Sequence, residues 1–116
     1  MITIYQIKLT EEEFNLVNEK GHDAVPAQKV KLDTSVFGPS KFKAEDFNFY
    51  SPAYEIDTND MDVAFAATNL WNNMDIVDDL GSDMNFSTSV GDIMELSDGT
   101  FHMVQAFGFE EIEVLK

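Results

Sequence analysis

Ile2-Thr3-Ile4-Tyr5-Gln6-Ile7-Lys8-Leu9, followed at once by Thr10-Glu11-Glu12-Glu13, is the stretch that decides the fold class. Its first eight residues are β-rich, with Ile2 and Ile4 on one alternating set and Tyr5, Ile7 and Leu9 on the other. A run that is apolar on both sides suits a strand buried in the middle of a sheet. The next four residues form a capping box: Thr10 is placed to accept the third backbone N–H, Glu13 to reach back, and the glutamates favour the positive end of a helix. Phe14, Leu16 and Val17 then face inward until Gly21 stops the helix.

Outward from this strand and helix, Pro26 opens a short helix through Lys31, Gly38-Pro39 punctuates a loop, and residues 44–49 read as one or two aromatic-rich turns. Residues 53–57 form a second strand after Pro52, with Glu55 and Asp57 on one face. Thr58 or Asn59 caps a helix from Asp60 to about Trp71, in which Met61, Ala64, Phe65 and Thr68 follow helical spacing. Residues 74–80 repeat that pattern, with Ile76, Val77 and Leu80 inward, Asp75, Asp78 and Asp79 as an outward ridge, and Gly81 as a stop. The remainder reads as strands over 86–90, 92–96, 100–107 and 111–115, with the hairpin turn Ser97-Asp98-Gly99. The expectation is an α+β fold, a small antiparallel or mixed sheet with two or three helices packed on one side, residues 1–116 forming one domain.

The composition agrees with a folded chain: 44% of the 116 residues are hydrophobic and ten are phenylalanine, too apolar for an acidic disordered tail. Without cysteine there is no disulfide framework, thiolate nucleophile or zinc knuckle, and two histidines leave little scope for a metal centre. The N-terminus lacks the basic start and uninterrupted apolar core of a signal peptide, and no apolar run approaches the ~20 residues of a membrane span. A protein of the cytoplasm, without a membrane partner, is expected.

Charge is the dominant feature. Seven lysines and no arginine stand against 22 acidic residues, a formal charge of −15. Residues 1–43 are balanced, with six lysines and six acids, whereas residues 44–115 hold sixteen acids and no base. Such a chain is repelled by nucleic acid, whose binding relies on Lys and Arg. Confining sixteen charges to about a third of the ~6,400 Å² surface expected from the mass gives one per ~130 Å². Duplex DNA, taken as a cylinder ~20 Å across, carries one per ~110 Å². The densities are comparable only if the acids cluster. Otherwise the acidity serves solubility.

Motifs for catalysis are weak. Asp57-Thr58-Asn59-Asp60-Met61-Asp62 resembles the opening of a calcium loop, but Met61 and Asp62 occupy the fifth and sixth positions and Thr68 the twelfth. Acid pairs are inevitable at this composition and lack positioned cationic donors. His22 and His102 form no triad, and the dispersed glycines form no phosphate-binding loop. No enzyme activity, cofactor or metal is expected. Trp71 and the Phe107-Gly108-Phe109 segment read either as core or as exposed anchors, since aromatics dominate interface hot spots.

Ser89-Val90-Gly91-Asp92 and Phe107-Gly108-Phe109-Glu110, with the opening Ile4-Tyr5-Gln6-Ile7, resemble small proteins of unassigned role found in phages and other mobile elements. The resemblance implies a setting and no catalytic residues. In that setting acidic domains look like nucleic-acid mimics, among them anti-CRISPR and anti-restriction inhibitors. Membership of that functional class would imply, as partner, a basic host nuclease, of Cas9 type or a restriction enzyme, or its nucleic-acid-binding subunit. The residues expected at that contact are Asp60, Asp62, Trp71, Asp75, Asp78 and Asp79, with Glu110, Glu111 and Glu113 as a second cluster. The alternative is a non-catalytic phage accessory or assembly protein that binds its partner through a sheet edge or an aromatic end.

Overall fold

The computed structural model describes residues 1–21, 24–70, 74–80 and 87–114. Strand β1 (Ile2–Gln6) lies between β2 (Ser51–Ile56) and β4 (Ile93–Glu95). β3 (Val77–Asp79) flanks β2, while β5 (Phe101–Val104) and β6 (Phe109–Ile112) extend the far side, giving the order β3-β2-β1-β4-β5-β6. Every neighbouring pair is antiparallel. The opening strand is therefore central, as its two-sided apolar pattern requires.

Alternation along β1 builds two cores on opposite faces of this sheet. Ile2 and Ile4 join Tyr54, Ile56, Met94 and Val104, covered by Met61, Ala64 and Phe65 of α3 (Met61–Asn69). Tyr5 and Ile7 join Ile93, Phe101 and Met103 on the other face. There they meet Leu16 and Val17 of α1 (Glu11–Lys20), Val30 of α2 (Pro26–Phe37), and Phe42 and Phe47. The fold is α+β, with two helices sharing one side and the third on the other. Both faces need cover because each fully buried Ile contributes ~1.5–3 kcal/mol relative to exposure.

The helix termini follow local chemistry. At α1 both capping-box bonds form: the Glu13 amide donates to Thr10 Oγ1 (3.2 Å) and the Thr10 amide to Glu13 Oε1 (3.0 Å). Leu16 and Val17 turn inward, but Phe14 stays 48% exposed at the margin of the core. Helix α2 runs past Lys31 to Phe37, because no breaker intervenes before Gly38. The cap of α3 is Asp60 itself, whose Oδ1 accepts from the amides of Asp62 (2.9 Å) and Val63 (3.4 Å). Thr58, one of the two expected caps, instead accepts the Asp60 amide (3.1 Å).

Residues 74–80 depart from the expected helix. A 3-10 turn over Met74–Ile76 leads into β3, whose Val77, Asp78 and Asp79 pair with Ile56, Glu55 and Tyr54. Pairing with the open edge of β2 satisfies the backbone and avoids stacking three carboxylates on one helical ridge, where like charges repel. The described part of the expected strand at 86–90 is also irregular. Thr88 is buried there, its hydroxyl 2.6 Å from that of Thr68, and its carbonyl accepts from Asn69 Nδ2 (2.7 Å). The last strand starts two residues earlier than expected. Gly108 takes a positive φ (81°) and its carbonyl accepts the Gln105 amide (3.0 Å), closing a turn that brings Phe109 opposite Val104.

Candidate functional site

Antiparallel order gathers particular chain segments at one end of the sheet. Where β1 begins, β2, β4 and β6 finish, and β3 and β5 start. Glu55, Asp57 and the neighbouring Asp60 arrive there from β2; Asp75 and Asp78 from β3; Glu95 and Asp98 from the β4–β5 hairpin; and Glu113 from the end of β6. Six strands span five steps of ~4.8 Å, so this end of the sheet is ~24 Å wide.

The row just inside this end is set by register. Asp78 pairs with Glu55, Glu55 with Thr3, and Thr3 with Glu95, so the side chains share one face. Tyr5 anchors the row by donating its hydroxyl to Glu95 Oε1 (2.6 Å). Burial raises the Tyr5 pKa, and Glu95 adds to the shift through that bond and its charge, so the phenol stays a donor. In the adjoining turn, Asp98 Oδ1 accepts from the hydroxyl (2.6 Å) and amide (2.9 Å) of Thr100, bonds that hold its pKa below the ordinary value.

Of the acids expected at the contact, Asp60, Asp75, Asp78 and Glu113 fall at this end. Asp79 lies further along β3, opposite Tyr54 and on the other face from Asp78. Glu110 pairs with Met103 and Glu111 with His102 on β6, the opposite edge of the sheet from β3. Asp62 borders a cavity of about 160 Å³ beside the β5–β6 turn, with Phe65 and Phe109. Trp71 lies outside the described residues. Neither expected cluster stays together: Asp62 lies toward the β5–β6 turn and Glu110 and Glu111 on the β6 edge, while Glu55, Asp57, Glu95 and Asp98, which the sequence pattern did not single out, complete the acidic end. Alternation in 53–57 signalled Glu55 and Asp57, and the turn signal at 97–99 placed Asp98, but each gives a face or a turn and not a neighbour.

Lysines gather elsewhere. Lys29, Lys41 and Lys43 surround a cavity of about 440 Å³ with Asp33 and Asp46, and Lys41 lies 5.5 Å from the centre of the Phe37 ring. The aromatic segment at 107–109 is divided: Phe109 packs edge-on to Phe65, whereas Phe107 is 97% exposed at the tip of the hairpin. Half-buried His102 sits in β5 with Nε2 3.0 Å from Thr100 Oγ1. Asp92 turns inward, away from the other acids, and burial pushes its carboxyl up to about 7.

Among the described residues no helix is long and apolar enough to cross a membrane, and no group of three or more His, Cys, Asp or Glu side chains is placed to hold a metal ion. Comparison with protein families, with curated proteins and with solved structures finds no match. The site's chemistry therefore rests on its own residues.

Proposed function

We propose that this protein is a non-catalytic anti-defence inhibitor that occupies the basic, nucleic-acid-holding surface of a host nuclease as an acidic mimic, in the cytoplasm of a bacterial cell. The convergence of eight carboxylates at one sheet end supports this reading. Carboxylates gathered in this way compete for a groove lined by Lys and Arg, associate rapidly by electrostatic steering, and release steeply with salt. The Glu55–Asp78 pairing strengthens the argument, since like charges directly opposite across strands cost stability.

A second reading is supported by Phe107. A phenylalanine 97% exposed at a hairpin tip, with Val36 70% and Phe37 53% exposed, suits an accessory protein that docks through an aromatic end. Capture from a bacterial lysate separates the two. Under the mimic reading the captured nuclease is released by salt and by excess duplex DNA, and Asp57→Lys/Asp75→Lys/Asp78→Lys abolishes capture while Phe107→Ser does not. Capture insensitive to DNA and to the triple reversal, but lost in Phe107→Ser, replaces the mimic with the accessory reading.

A further inference from the structure

The turn Ser89-Val90-Gly91-Asp92 is held against α2 by contacts that the acidic end does not use. Asp92 N donates to the Ser89 carbonyl (3.1 Å) and Ser89 N to Asp92 Oδ2 (3.0 Å). Tyr50 donates its hydroxyl to the Gly91 carbonyl (2.6 Å). Gly91 has a φ of 96°, and a Cβ there would stand 2.8 Å from Thr34 Oγ1, so the turn backbone lies directly on the helix. Between turn and helix is a cavity of about 240 Å³. Ile7, Phe14 and Leu32 line it with apolar surface; Asp92, Lys31 and Gln28 give it a polar side.

Asp92 is the informative group. Its Oδ2 accepts from Ser89 N and from Gln6 Nε2 (3.1 Å), while no hydrogen bond from the described residues reaches Oδ1. A partly buried carboxyl with one oxygen unused, at the edge of a cavity with an apolar wall, is half of a recognition site. Lys31 already acts on this carboxyl through its charge; what the unused Oδ1 adds is room for a second donor cation on a short apolar body, and the charge of −15 concentrates cations around the molecule. The volume is below the ~300 Å³ at which drug-sized pockets begin, which limits the body to a few carbons.

We propose that the cavity between α2 and the 89–92 turn binds a small organic cation, an alkylammonium or alkylguanidinium, with the charged head on Asp92 Oδ1 and the alkyl chain against Phe14 and Leu32. Exposed carboxylates attract cations of any shape; this site also requires the chain. The Asp92 carboxyl, pushed up to about 7 by burial, makes binding depend on pH. Lys31, Tyr50 and Tyr54 are the other titratable groups whose charge or burial is coupled to it.

The test is an amide NMR titration of the whole protein with n-butylammonium, n-butylguanidinium and ammonium, and with n-butanol as the uncharged control. Saturable shifts at 28–35 and 89–93 are expected for the two alkyl cations only. Affinity rises about tenfold from pH 6 to pH 8 as the carboxyl ionises, and falls at least tenfold in Asp92→Asn at pH 8. Should that variant not fold, the pH dependence in the unaltered protein and the contrast with ammonium decide the matter. Shifts confined to the exposed acids, equal responses to ammonium and butylammonium, or binding that Asp92→Asn or pH leaves unchanged overturns the proposal.

Discussion

Glu55 and Asp78 are register partners across the β2–β3 pairing, two carboxylates opposed on one face at the edge of the sheet. Opposed like charges disfavour the strand pair, and opposite charges favour it, by roughly 0.2–1 kcal/mol. Asp78→Lys is therefore expected to stabilise the fold by about that amount in urea unfolding at low salt, with the gain shrinking at high salt. A loss of stability at low salt contradicts the pairing.

Asp92 makes stability depend on pH. Its folded pKa is raised from 3.8 to about 7, so the native protein keeps a proton that the unfolded chain releases. The contribution is complete below about pH 4 and is lost as pH rises to about 7, at up to ~1.4 kcal/mol per pH unit. In Asp92→Asn that part of the slope disappears. Unfolding curves of both proteins across this window should diverge, with the difference levelling off above pH 7.

Gly91 is fixed by both backbone and space. At φ 96° an L side chain is strained, and its Cβ would meet Thr34 Oγ1 at 2.8 Å and the Ser35 amide nitrogen at 3.3 Å. Gly91→Ala is expected to cost ~1–3 kcal/mol in thermal unfolding. A neutral outcome would show that the turn can move off α2.

Asp60, not Thr58 or Asn59, caps α3, through the amides of Asp62 and Val63. Asp60→Ala should cost ~1 kcal/mol, as loss of a helix N-cap does. Asp60→Asn keeps the accepting oxygen and removes the charge, so it should restore most of the loss in the same denaturation assay. Equal losses in both variants would assign the effect to charge instead.

Much of the fold was legible where residue type and local geometry dictate one another. The capping box at Thr10 and Glu13, the stop at Gly21 and the hairpin turn at Asp98-Gly99 form as read, because each closes its bonds within a few residues. Residues 74–80 were not legible. Ile76, Val77 and Leu80 have helical spacing, but the free edge of β2 offers a better set of backbone bonds, and nothing nearby in sequence announces that edge. The same limit applied to the acids. A ridge at 75, 78 and 79 presumes a helix; in a strand Asp78 and Asp79 point to opposite faces.

The sequence by itself determined the central strand, the α+β class and the absence of any base from residues 44–115. These follow from alternation, capping and composition, which need no distant partner. The tertiary structure alone decided which acids meet. Glu55, Asp57, Asp78, Glu95 and Asp98 are scattered over more than forty positions and become neighbours because antiparallel pairing returns alternate strand ends to the same side. It also decided that Asp92 leaves the acidic array for the interior, since the turn that carries it must rest on α2.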